Sequence, residues 1–233
     1  MPGASYGQPG GSLEAGQDLS WAANSRVAEA GRLGEIEVGN ALIDIVADTD
    51  GAVALHDAAI PIPGFSANID HLVVAGTDIL LIDAKRWSPA LYFSLGSRAY
   101  RGMFHRCTFA EKKTMPTASR AIASFAAEFE PTLITPLVVI TSRSSRQRVN
   151  TTLLRMPGAA VVTLGQMRRR VRTFTRRRGP ADPALVAKLR TLLSHDPGAE
   201  DAAPATPEPM RPTADDLQAS SLSQELPRLT EEN

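Results

Sequence analysis

A single cysteine, Cys107, excludes an internal disulfide and any cysteine-rich zinc site. It suits a reducing compartment, although a lone cysteine is more often just a small core residue. No apolar run approaches the ~20 residues that a membrane-spanning helix needs. The N-terminus also lacks the basic-then-apolar pattern of a secretory signal, so the expected location is cytoplasmic, with no membrane partner. Neither a Gly-x-Gly-x-x-Gly nor a Walker phosphate loop occurs, which argues against a dinucleotide enzyme or an NTPase. The four histidines, His56, His71, His105 and His195, show no metal-ligand spacing.

Acid is missing from one long stretch. Residues 131–181 hold eleven arginines and no Asp or Glu. Ten of these arginines are candidates for nucleic-acid contact: Arg143, Arg146, Arg148, Arg168, Arg169, Arg170, Arg172, Arg176, Arg177 and Arg178. Guanidinium forks match phosphate oxygens in pairs, and neutralising several phosphates gives salt-dependent affinity that ignores base sequence. The alternative is a solvated surface balanced by acid elsewhere. That acid exists: residues 196–233 carry nine acids against two arginines, net −7, so a formally neutral chain is a basic body with an acidic, proline-rich tail. The tail is expected to be disordered and is a candidate docking site for a protein partner. Residues 1–17, rich in Gly, Ser and Pro, are expected to be a disordered leader, which leaves 18–195 as the folded domain.

Residues 68–85 read Asn-Ile-Asp-His-Leu-Val-Val-Ala-Gly-Thr-Asp-Ile-Leu-Leu-Ile-Asp-Ala-Lys. Two short apolar, largely β-branched runs flanking Gly76-Thr77 predict a β-hairpin. With a two-residue loop Ala75 faces Asp78, and Asp70 then faces Asp83, with the carboxylates within about 6 Å. A three-residue loop would put Asp70 opposite Ala84 instead. Lys85 leaves the same face as Asp83, two residues on. Facing carboxylates repel unless a proton or cation lies between them. Two acids and an ammonium on one patch suit hydrolysis of a phosphodiester with a hard divalent cation, Mg²⁺ or Mn²⁺. The alternative is an ordinary hairpin whose polar ends meet solvent.

Upstream, a helix is expected from Asp18 or Ser20 to about Val46, weakened at Gly31 and Gly34. Helical spacing sets Glu35 in line with Ala28, Gly31, Val38, Leu42 and Ile45, the apolar stripe, and Glu37 with Ala41, Asp44 and Asp48 on the polar side. Taken alone, Glu35 reads equally well as a stripe-edge acid with a water or arginine partner. Trp87 reads as a cap on the core edge, or else as a stacking surface for a base or sugar. His71 points away from Asp70 and is read as structural.

In order, Gly34-Glu35, Ile60-Pro61, Ala67-Asn68-Ile69-Asp70-His71 and Ile82-Asp83-Ala84-Lys85-Arg86-Trp87 resemble the nuclease-related domain (NERD) family, placed in the PD-(D/E)xK nuclease superfamily. The resemblance covers roughly residues 31–141. It implies an α/β, restriction-endonuclease-like core, with a mixed central sheet, a β-hairpin carrying the site and flanking helices. It also implies catalytic roles for Glu35, Asp70, Asp83 and Lys85, with Asp70, Asp83 and Glu35 on a Mg²⁺ or Mn²⁺ ion and DNA as substrate. The family match is what makes Glu35 a site candidate. One departure stands out: where a Pro-x-x-Gln is expected, this chain has Pro116-Thr117-Ala118-Ser119. A non-catalytic nucleic-acid-binding module on the same scaffold is the second reading.

Overall fold

The computed structural model describes residues 2–11, 25–65, 67–103, 105–111 and 114–193. The expected tail, and the expected start of the first helix near Asp18 or Ser20, lie outside them.

The leader expectation is corrected for its described part. Ala4–Tyr6 is a strand, β1, paired in parallel with residues Val53 to Leu55. Gly3 shows why a glycine-rich stretch belongs to this fold: an added Cβ would lie 2.3 Å from the Val46 carbonyl oxygen and 2.4 Å from that of Ala52. Only a residue without a side chain lets the backbone lie that close.

Helix α1, Ser25–Ala47, then runs unbroken through Gly31 and Gly34. It is followed by β2 (Val53–Ala59), β3 (Asn68–Ala75) and β4 (Asp78–Trp87). Beyond these come β5 (Leu91–Leu95), β6 (Arg98–Arg101) and the short β7 (His105–Arg106). Helix α2 spans Thr114–Phe125 and is followed by a 3₁₀ turn, Ala127–Phe129. The chain finishes with β8 (Leu133–Ser142), β9 (Asn150–Leu153), β10 (Ala160–Thr163), α3 (Leu164–Arg178) and α4 (Pro183–Arg190). Asp182 caps α4 by accepting from the Ala184 and Leu185 N–H groups, with Pro183 at the first helical position.

Six strands form a mixed sheet in the order β1-β2-β3-β4-β8-β10. The β2–β3 and β3–β4 pairs are antiparallel, and the β4–β8 and β8–β10 pairs are parallel. The register of β8 on β4 shifts between Leu80 and Ile82, beside Pro136, whose missing N–H breaks the ladder. Along β4, Ile79 and Leu81 face one core and Leu80, Ile82 and Ala84 the other. The first core is closed by Met115, Ala118 and Ile122 of α2 and by Leu185, Val186 and Leu189 of α4. The second is closed by Val38, Leu42 and Ile45 of α1 and by Met167, Val171 and Phe174 of α3. Ala41, expected on the polar side of α1, is buried there too. Burial on both faces explains the near-continuous apolar runs of β4 and β8. This is the mixed α/β architecture expected of a restriction-endonuclease-like core. The remaining strands make a second sheet, ordered β7-β6-β5-β9. No helix among the described residues is long and apolar enough to cross a membrane.

Candidate active site

The hairpin has the two-residue loop. Ala75 pairs with Asp78, and the register runs without a slip to His71 with Ile82. Its turn is pinned from outside. The Gly76 N–H donates to the carbonyls of Gly179 (3.2 Å) and Pro180 (3.1 Å), and Arg178 Nε lies 2.7 Å from Asp78 Oδ2.

At the opposite end of the strands, side chains replace the ladder. The Ala84 N–H donates to Asp70 Oδ2 at 2.7 Å, and Lys85 Nζ donates to Asp83 Oδ1, also at 2.7 Å. Lys85 Nζ is 3.3 Å from the Ala84 carbonyl as well. Glu35 arrives from α1. The helix comes close because Gly34 has no side chain: an added Cβ would sit 3.0 Å from Arg86 Cβ. Glu37, one turn face away, pairs instead with Arg86 at 3.7 Å.

The electrostatics bind these groups together. Burial, then the charge of Asp70, pushes the Glu35 carboxyl up to about 9; Lys85 opposes the rise, and Asp57 and Asp83 add to it. Asp70 is pushed up to about 7, first by burial and then by Asp83 and Asp57, against the Lys85 charge and the Ala84 N–H. Burial acts to pull Lys85 down, but Asp83, Asp70 and Glu35 together hold its ammonium well above the ordinary lysine range. The structure therefore brings Glu35, Asp70, Asp83 and Lys85 into one mutually interacting group. Such perturbed titratable groups gathered in one place are a mark of functional sites.

Residues 30–141 match the family model described as nuclease-related domain. They are a nuclease-related domain, NERD. No curated protein matches the chain, and no solved structure does. The match takes in α1 from Ala30, the hairpin and all four gathered residues, and it ends within β8.

One further acid lies beside these four, with no signal in the sequence to mark it. Asp57 lies on β2 across from Asp70, between the pairs His56–His71 and Ala58–Ile69. It is buried, has φ of 59°, and accepts from Asn68 Nδ2 at 2.7 Å. A positive φ is uncommon outside glycine, and Asp is among the residues that tolerate it. Nothing in the order Asp57-Ala58-Ala59 signals this position.

His71 is structural, as its strand parity implies. Its Nδ1 lies 2.8 Å from His56 Nδ1, and His56 Nε2 is 2.9 Å from Ser5 Oγ. Both rings are fully buried, which lowers His56 to about 4; His71, buried and beside His56, lies well below the usual range. The neutral pair ties β1 to the strands that carry the site.

The arginines do not form one patch. Asp78 and Lys85 are seven residues apart on β4, about 23 Å of extended strand. Arg178 sits at the Asp78 end, and Arg176 and Arg177 share its turn of α3. Arg168, one turn into α3, pairs with Asp44 at 3.7 Å, while Arg169, Arg170 and Arg172 are exposed along the helix. At the site end, Arg143 donates from Nε to the Arg86 carbonyl at 3.1 Å, and exposed Arg146 and Arg148 follow it. The candidate arginines are thus spread along the molecule, because α3 runs from the site end back to the hairpin turn.

Among the described residues, no three His, Cys, Asp or Glu side chains are gathered tightly enough to hold a metal ion. Lys85 takes up one oxygen of Asp83.

Proposed function

We propose that this NERD chain is a divalent-metal-dependent nuclease that hydrolyses DNA phosphodiester bonds. The observation that carries the reading is the gathering of Glu35, Asp70 and Asp83 about the Lys85 ammonium at the open end of the hairpin. The donors suit Mg²⁺ or Mn²⁺ in kind, since hard cations take carboxylate oxygens. Asp70 and Asp83 would hold the ion, with Glu35 as a further carboxylate. When bound, such an ion polarises a phosphoryl oxygen and makes its bound water a better nucleophile. The remaining work belongs to the chain. The Ala84 N–H fixes the Asp70 carboxylate. Lys85 stays charged and lies where it can offset the negative charge that builds on a phosphate under attack. Arg143, Arg146 and Arg148 flank this end and would take the neighbouring phosphates; the arginines of α3 would act on a more distant part of the strand.

A second reading, a non-catalytic nucleic-acid-binding module, is favoured by one specific observation. The acids are compensated by Lys85 and by the Ala84 N–H rather than spread around an open centre. Melting with and without cation separates the two. A nuclease gains melting temperature with Mg²⁺ or Mn²⁺, by mass action on the folded state, and Asp83→Asn erases most of the gain. No shift with either ion, together with tight DNA binding, favours the binding module.

A further inference from the structure

The second sheet has an outward face that the site does not use. In β5, Tyr92 turns inward onto Trp87, with ring centroids 4.6 Å apart, so Leu91, Phe93 and Leu95 turn outward. In β6, buried Ala99 turns inward, and Arg98 and Tyr100 turn outward. Register lines up one cross-strand row on that face: Leu153 beside Phe93, Phe93 opposite Tyr100, and Tyr100 opposite Arg106. The Phe93 and Tyr100 rings stack with centroids 5.5 Å apart and planes 23° from parallel. Leu95 and Leu153 are each 64 % exposed, and Leu91 is 42 % exposed.

The charge around this apolar face has one sign. Residues 84–110 contain no Asp or Glu, while Arg98 and Arg106 belong to the outward rows and Arg101, opposite Tyr92, to the inward one. The remaining strand, β9, falls in the acid-free stretch 131–181. A twofold contact between copies of this chain would bring two copies of the same acid-free, arginine-bearing surface together with no carboxylate to offset them, which like-charge repulsion opposes. A polyanion with flat apolar groups fits better. Duplex DNA keeps the faces of its bases stacked inside, whereas an unpaired strand offers them to aromatic side chains. The sheet also joins the proposed catalytic end directly. Only residues 88–90 separate β4 from β5, and the Asn150 N–H donates to the Ala90 carbonyl at 2.9 Å.

We infer that the outward face of β5, β6 and β9 is a platform for the unpaired bases of single-stranded nucleic acid, with Phe93 and Tyr100 as stacking surfaces and Arg98 meeting the backbone. This inference takes its substrate class from the nuclease reading but does not depend on cleavage.

The test is binding of the full chain in EDTA, by fluorescence anisotropy, to a labelled oligothymidylate and to an abasic strand of equal length. Both strands offer the same phosphates, and only one offers bases. The wild type should prefer the thymidylate by about tenfold or more, the scale of aromatic–base stacking. Tyr100→Leu and Phe93→Leu should bring the two affinities together. Leu95→Glu and Leu153→Glu, at exposed positions that leave the core intact, should weaken binding to both strands and most for the thymidylate. Equal binding of the two strands by the wild type overturns the proposal. So does a preference that survives all four substitutions, or self-association that Leu153→Glu dissolves without any change in nucleic-acid binding. Base preference without cleavage sinks the nuclease reading alone; cleavage without base preference sinks the platform alone.

Discussion

Glu35→Gln should stabilise the metal-free protein, although it alters a residue placed at the heart of the site. Folded Glu35 titrates near 9, against 4.5 for an ordinary glutamate. At pH 7 the fold therefore holds a proton that the unfolded chain releases, and the folded state is penalised for it. A raised folded value gives stability that is full below the unfolded pKa and is lost as pH rises through the folded one. Each pH unit between 4.5 and 7 is worth about 1.4 kcal/mol, which bounds the penalty at about 3.5 kcal/mol. Asp70 ionises more readily once the Glu35 charge is gone, and lost hydrogen bonding at the amide takes part of the gain, so roughly 1.5 kcal/mol is expected. For a domain of this size that is about 3–6 °C in melting temperature. The assay is thermal melting in EDTA from pH 5 to pH 9. Wild type should lose stability across that range, and Glu35→Gln should flatten the loss and melt higher at pH 8. With Mg²⁺ the order should narrow or reverse, because only the carboxylate gains from the ion. A Glu35→Gln protein that melts below wild type at pH 8 in EDTA would refute the reasoning.

Three further outcomes follow from the same geometry. Lys85→Ala removes the charge that holds the Glu35 and Asp70 values down; cleavage should fall at least about a hundredfold, and Mg²⁺ should bind only at higher pH, as a calorimetric titration at two pH values would show. Arg178→Ala breaks the 2.7 Å pair with Asp78 at the hairpin turn; it should lower stability by about 1 kcal/mol in denaturant melts and leave the cleavage rate unchanged. Charge reversal at Arg146 and Arg148 should reduce both DNA affinity and cleavage, whereas reversal at Arg176 and Arg177 should flatten the slope of log affinity against log salt with a smaller effect on rate.

Where a single element determines its own pattern, the sequence was readable. Short apolar runs about Gly76-Thr77 specified the hairpin but left its register open between a two- and a three-residue loop, because the strands are buried on both faces and either register buries apolar side chains; the pairing of Ala75 with Asp78 decides it. The stripe through Val38, Leu42 and Ile45 placed Glu35 on the inner side of α1. What escaped depends on tertiary contact. β1 has three residues and exists only because β2 offers an edge. Helix α3 hides its buried Met167, Val171 and Phe174 among seven arginines, so its period is masked. Asp57 joins the site through a strained backbone that no local spacing reports. The arginines were visible as a run but not as two ends of a helix, because composition carries no direction.

The most direct test of the central claim is cleavage of a labelled DNA strand by the purified chain with Mg²⁺ or Mn²⁺, run beside Asp83→Asn. The account predicts metal-dependent products from the wild type, suppressed by EDTA and absent from an Asp83→Asn protein that still folds and still binds the strand. Equal cleavage by the two proteins, or none by the wild type with either ion, would contradict it.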